Sequence, residues 1–182
     1  MQRWRVALGF ACAALFLLLS KPQPLTLALG GAVAVLGLAL RAWASGHIRK
    51  NALLAVSGPY AYTRNPLYLG SLVLGLGFTV AASSGVWRFL LLGSIFASLF
   101  LGIYLPVMRV EAATLVELFG EEYRRYAEAV PLLFPRLKPY RDEAGAPVKF
   151  DPKLYLRYRE YRAALGLLVA WSVLALKAVL AV

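Results

Sequence analysis

Acids are scarce in this chain and gathered into one stretch of it. The 182 residues contain nine Asp and Glu against 20 Lys and Arg, and no acid precedes Glu111. Soft metal ligands are scarcer still, with one cysteine, Cys12, and one histidine, His47. A lone cysteine excludes an internal disulfide, and one Cys with one His excludes a Cys/His metal centre, so no metal is expected. Internal repeats and low-complexity tracts are absent, and the chain reads as a single domain over residues 1–182. Charge itself is thin, at 16% of residues against 60% hydrophobic. A soluble domain of this size has no means of hiding so much apolar surface.

What the chain has instead is a series of charge-free runs between basic residues. Val6–Ser20 lies between Arg5 and Lys21, and Pro22–Leu40 between Lys21 and Arg41. Asn65–Trp87 separates Arg64 from Arg88, Phe89–Met108 separates Arg88 from Arg109, and Ala163–Leu176 follows Arg162. A bilayer core takes about 20 apolar helical residues, fewer where basic flanks snorkel. The expectation is an all-α polytopic membrane protein with five transmembrane helices, near 4–20, 24–44, 66–84, 87–108 and 163–182. Arg3 and Arg5 before the first run resemble a signal-peptide n-region, but no small-x-small cleavage site precedes Lys21-Pro22, so the segment is read as a retained span.

Basic residues fix the expected orientation. With the N-terminus in the cytoplasm, only Lys21, Arg88 and Lys177 of the 20 Lys and Arg fall outside, as the positive-inside tendency requires. The C-terminus then lies on the opposite side, and the bacterial inner membrane is the expected location. The net charge of +11 is a possible nucleic-acid signal, but such a binder has no reason to sort its basic residues by span. No nucleic acid is expected as a partner; membrane lipids are.

Function is expected on the inner face, which receives Gly46–Arg64 and Arg109–Arg162. The fourth helix runs past Arg109 to a C-cap at Gly120, followed by a short charged helix over Glu121–Ala129. Pro131, Pro135, Pro139 and Pro147 make the next segment irregular. Asp151-Pro152 has the pattern of an N-cap and first helical position, leading through Leu154, Tyr158, Tyr161 and Leu165 into the last span.

Two stretches carry polar chemistry. In GPYAYTRNPLYLG, Gly58 to Gly70, Asn65-Pro66 starts a helix, so Arg64 sits beside a helix N-terminus suited to a carboxylate or phosphate. Tyr60, Tyr62 and Tyr68 add aromatic faces for a purine or a cation. An interfacial Arg/Tyr anchor accounts for the same residues equally well. In the second stretch, Arg109 to Pro135, Glu111 shares a helix face with Val107, Leu115 and Leu118 and is expected to point inward. An intramembrane acid is a functional candidate, and an ion pair with Arg41 or Arg64 is its structural alternative. Glu117, Glu121 and Arg124 read as a solvated face.

Taken together, these stretches resemble the isoprenylcysteine carboxyl methyltransferase and phospholipid methyltransferase superfamily. The pattern G-x-Y-x-x-x-R-(H/N)-P-x-Y-x-G matches at Gly58, Tyr60, Arg64, Asn65, Pro66, Tyr68 and Gly70. A second pattern matches at Glu111, Leu115, Phe119, Gly120, Tyr123, Tyr126, Val130, Pro131 and Pro135, and the resemblance covers residues 46–137. Asn65 stands where eukaryotic members carry histidine, and Ala112 where a second glutamate is expected. The resemblance implies an enzyme that transfers a methyl group from S-adenosylmethionine, at a cytoplasmic-face cofactor site, to a lipophilic acceptor entering from the bilayer. It implies Glu111 and Arg109 as catalytic residues and a cofactor site drawn from His47, Gly58, Tyr60, Arg64, Asn65, Pro66, Tyr68, Glu111, Tyr123, Tyr126 and Pro131. Pro131 to Pro135 becomes a lid on this view. The alternatives are a non-enzymatic lipid-binding membrane protein and, more remotely, a relative of the membrane sterol reductases. Gly75-Leu-Gly77 lies inside an apolar run and reads as helix packing rather than a cofactor motif.

Overall fold

The computed structural model describes residues 15–49, 53–141 and 149–180. Most of the first expected span, together with Cys12, lies outside the described residues. Among those described there is no strand, only helices and one 3₁₀ turn. We number them α1 (Pro24–Ser45), α2 (Pro66–Ala81), α3 (Val86–Ala129), α4 (Pro152–Arg157) and α5 (Tyr161–Leu180), with the turn at Gly58–Ala61 between α1 and α2.

Local chemistry explains where these helices begin. Pro24 and Pro66 occupy the first helical position, where a missing N–H costs nothing. Gln23 and Thr26 close a reciprocal cap on α1, and the Thr26 hydroxyl also reaches the Ala81 carbonyl at 3.4 Å, joining the start of α1 to the end of α2. Asp151 caps α4 as expected, its carboxylate accepting from the Lys153 N–H at 2.8 Å. Gly120 breaks α3 as expected: at φ 53° it leaves the helical conformation and turns the chain, and a second helical stretch runs on to Ala129.

Three helices, α1, α3 and α5, are long and apolar enough to cross a membrane. Their apolar side chains largely face outward: Leu25, Leu36, Leu168, Val169 and Val179 are all more than 60% exposed. Hydrocarbon is the medium that accepts such a surface. The expected third span, 66–84, is shorter than required, because α2 stops at Ala81 after 16 residues. At about 1.5 Å per residue it is some 24 Å long, short of a core of about 30 Å. The five-span expectation is therefore corrected to three helices of membrane-crossing length among the described residues.

α1 and α2 pack backbone to backbone. A Cβ placed on Gly30 would lie 2.4 Å from the Gly77 carbonyl oxygen, and one on Gly37 would lie 2.4 Å from the Leu74 nitrogen. Gly75 faces the Phe96 ring of α3 in the same way, so both glycines of Gly75-Leu-Gly77 are packing glycines. Below them Phe100, Met108 and Leu133 form a buried cluster with Tyr68, Leu72 and Tyr104 around it. Gly37→Ala is expected to lower stability by about 1–3 kcal/mol, the usual cost of overpacking against a rigid neighbour. Gly102→Ala, in α3 with nothing within 4 Å, is expected to cost nothing. Unfolding of both variants in detergent micelles checks the contrast.

Candidate functional site

The turn between α1 and α2 and the segment after α3 are laced together by backbone. Arg64 N–H donates to the Pro131 carbonyl at 3.0 Å, Arg136 N–H to Tyr62 at 2.9 Å, and Tyr140 N–H to Ala61 at 2.8 Å. Side chains add to the lacing: the Thr63 hydroxyl donates to the Leu133 carbonyl at 2.9 Å and the Asn65 amide to Leu132 at 2.9 Å. Asn65 thus spends its side chain on the strap and makes no cap on α2. Pro131 to Pro135 is a fixed wall, hydrogen-bonded along its length to the Arg64 turn.

Between the Arg64 turn and the lower part of α3 lie two adjoining cavities of about 210 and 320 Å³. They share Ile48, Tyr60, Arg64, Asn65 and Glu111. The first continues along apolar side chains, Met108, Leu115 and Phe119, to Tyr123 and Tyr126. The second passes Pro66, Tyr68 and Tyr104 to Arg41 and Glu160.

Of the residues singled out from sequence, Tyr60, Arg64, Asn65, Pro66, Tyr68, Glu111, Tyr123 and Tyr126 line these cavities. Four others do not. His47 is buried with its Nδ1 2.9 Å from the Trp43 carbonyl, and its ring lies where a Cβ on Gly58 would stand. Gly58 has φ +60°, so both its conformation and its bareness serve to seat the turn carrying Tyr60. Pro131 contributes its carbonyl to the strap, and Arg109 is exposed on α3.

Two polar atoms inside the site have no partner among the described residues: the Tyr60 hydroxyl and the Arg64 Nε. Tyr60 is only 6% exposed, and burial, with Tyr126 and Glu111 nearby, raises its pKa so that it stays a neutral donor. Arg64 reaches the Tyr123 hydroxyl through Nη1 at 3.4 Å. The Tyr126 hydroxyl, by contrast, is committed to the Tyr60 carbonyl at 2.7 Å. Glu111 is more exposed than its helix face suggested, and it accepts from Tyr68 at 3.3 Å rather than pairing with an arginine. The arginine pair lies elsewhere: Arg41 donates twice through Nη2 to Glu160, at 2.8 and 3.0 Å, and through Nε at 3.1 Å. Its Nη1 is held by the Leu67 carbonyl and the Ser71 hydroxyl.

Sequence reasoning passed over Glu160 and the second cavity's wall. Arg41 is the one charged residue in α1, which is a signal for a buried partner. Nothing in residue spacing points to an acid 119 positions away.

Comparisons with known proteins bear on what the site does. The chain is 35% identical over 150 residues, 78% of its length, to the cobalt-zinc-cadmium resistance protein of Cupriavidus metallidurans, of which the match covers 66%. It is 34% identical over 118 residues to the nickel-cobalt-cadmium resistance protein of Alcaligenes xylosoxydans xylosoxydans, of which the match covers 51%. The chain thus spans between half and two thirds of these curated relatives. No family model matches, and no solved structure matches. These findings overturn the methyltransferase expectation: the relatives are named for metal resistance, and no family model supports the resemblance read from the two motifs. Arg64, Glu111 and Tyr123 line one cavity.

The two tyrosines make a sharp contrast for stability. Tyr126→Phe leaves the Tyr60 carbonyl without its donor and is expected to cost about 1–3 kcal/mol. Tyr60→Phe removes a buried hydroxyl that nothing among the described residues satisfies and is expected to leave stability unchanged or raised. Melting of the two variants in one detergent checks both.

Proposed function

We propose that this chain is a non-enzymatic, lipid-binding membrane protein that serves resistance to divalent cobalt, zinc, cadmium or nickel ions without ligating the ion itself. The observation that carries the reading is the pair of relatives named for resistance to these metals. A match covering 78% of 182 residues necessarily takes in the middle of the chain, where the Arg64 cavity lies.

The cavity supports the lipid part. It offers a polar end, where Arg64 and Tyr60 have donors to spare and Glu111 accepts from Tyr68, and an apolar run along Met108, Leu115 and Phe119. An amphiphile with an anionic head matches both ends. The metal part is indirect. Among the described residues no group of three His, Cys, Asp or Glu stands close enough to hold an ion, and the sequence has one His and one Cys. These metals favour imidazole and thiolate ligands.

On this proposal the chain is one domain lying in a bacterial inner membrane. α2, locked to α1 by glycines, crosses with it despite its length. The cavity end faces the cytoplasm. A reporter tag after Val182 that reads out in the cytoplasm overturns that orientation.

The functional test joins growth to binding. Loss of the chain should lower the tolerated concentration of at least one of the four metals, and Arg64→Gln should reproduce the loss at equal protein level. In detergent, Arg64→Gln should weaken a fluorescent anionic amphiphile about tenfold or more, the scale of one charge-assisted hydrogen bond. Zinc titrated into the purified protein should give no micromolar binding heat. Full tolerance with Arg64→Gln overturns the role of the cavity, and micromolar zinc binding overturns the indirect role.

A further inference from the structure

At the end of the bundle away from the Arg64 cavity, the start of α1, the start of α3 and the end of α5 surround an open cavity of about 1040 Å³. Its wall carries Lys21, Arg88 and Lys177, the three basic residues that the charge pattern separates from all the others. They come from three different parts of the chain and converge on one space.

No Asp or Glu side chain among the described residues answers them. Among the described residues every acid is numbered 111 or higher. Glu111 follows Val86 by 25 residues of helix, and Glu160 precedes Lys177 by 17. At about 1.5 Å per residue, these put the carboxylates some 25 Å or more away, beyond a Debye length of about 8 Å at physiological salt. The partners that are present are neutral. Lys177 donates to the Leu17 and Leu18 carbonyls and to the Ser20 hydroxyl, the last at 3.1 Å. Arg88 donates to the Ser84 hydroxyl at 2.9 Å. Such partners orient the cations and leave their charge uncancelled.

The rim is apolar. Trp87 is 85% exposed, Leu18 79% and Leu91 53%. A small free anion makes no use of these surfaces, whereas a lipid places its phosphate on the cations and its glycerol and first methylenes on the rim. We propose that this cavity is a second site, independent of the Arg64 cavity, and that it takes the headgroup of an anionic phospholipid.

The test is lipid binding to the full chain in detergent, read by native mass spectrometry and by thermal shift, with phosphatidylglycerol as probe. Phosphatidylcholine serves as the zwitterionic control, and inorganic phosphate as the free-anion control at matched ionic strength. Lys21→Gln with Arg88→Gln is the deciding variant, because neither side chain touches the Lys177 contacts that hold residues 17–20. Measuring it in an Arg64→Gln background as well reads the two sites separately. The double variant is expected to bind phosphatidylglycerol at least tenfold more weakly in both backgrounds and to lose the lipid-induced thermal shift while keeping its helical circular dichroism. Phosphatidylcholine should bind weakly, and phosphate should not displace the lipid. Unchanged phosphatidylglycerol affinity in the double variant overturns the proposal, as does equal affinity for phosphatidylcholine. Displacement by phosphate at constant ionic strength overturns the lipid in favour of a free anion.

Discussion

The cavity exists because backbone N–H groups of the Pro131–Tyr140 region and of the Arg64 turn find their partners in each other. A turn at the membrane boundary and an irregular proline-rich segment both expose main-chain polar groups, and neither can leave them unpaired beside hydrocarbon. Pairing the two segments, through Arg64 to Pro131, Arg136 to Tyr62 and Tyr140 to Ala61, satisfies them. The same pairing carries the chain back from Gly120 and holds Tyr123, Tyr126 and Val130 in a buried cluster against Leu54 and Val56. The Gly120 bend is what makes this return possible. A straight helix of 44 residues would be about 66 Å long and would leave the turn uncovered.

The Arg41–Glu160 pair ties the other wall. Arg41 is anchored on α2 through Leu67 and Ser71 while Glu160, at the junction before α5, meets its guanidinium side-on. The junction bends at Arg159, whose φ of 56° is a conformation that non-glycine residues enter rarely. With side chains 22% and 14% exposed, the pair is partly desolvated, so removing one partner costs more than the net worth of the interaction. Its geometric effect is clearer than its energy: it brings the last helix against the first and closes the second cavity.

Helix positions were legible because membrane helices write themselves as long apolar runs between basic residues. Pro24, Pro66 and Asp151-Pro152 mark starts that the structure keeps. Gly120 marks a helix break that the structure also keeps. The apolar run around α2 misled, because periodicity does not say where a helix ends inside a continuous hydrophobic stretch. At the site, Tyr60, Arg64, Asn65, Tyr68, Glu111, Tyr123 and Tyr126 do converge. Convergence of a motif is a statement about packing as much as chemistry, and here much of it is packing. Asn65 straps, Tyr126 braces the Tyr60 carbonyl, and His47 fills the space beside Gly58. A one-dimensional pattern does not distinguish a residue that lines a cavity from one that holds the lining in place.

The residues that packing does not explain are Tyr60 and Arg64. Burying a donor without an acceptor costs about 1–3 kcal/mol, and a fold usually avoids it by substitution or by rotating the group outward. Here the Tyr60 hydroxyl is sealed by the turn that positions it, and the Arg64 side chain is drawn inward by Tyr123 while its Nε is left over. Phenylalanine at position 60 fills the same space without the penalty. Keeping both donors unpaired in a cavity that also carries the Glu111 carboxylate is a local cost with no return to the fold, and such costs collect where a protein meets a ligand. The complementary species carries acceptors at one end and hydrocarbon at the other. On the proposals made above, the lipid phase beside the cavity supplies molecules of that description, and the basic residues at the opposite end of the bundle face the same supply.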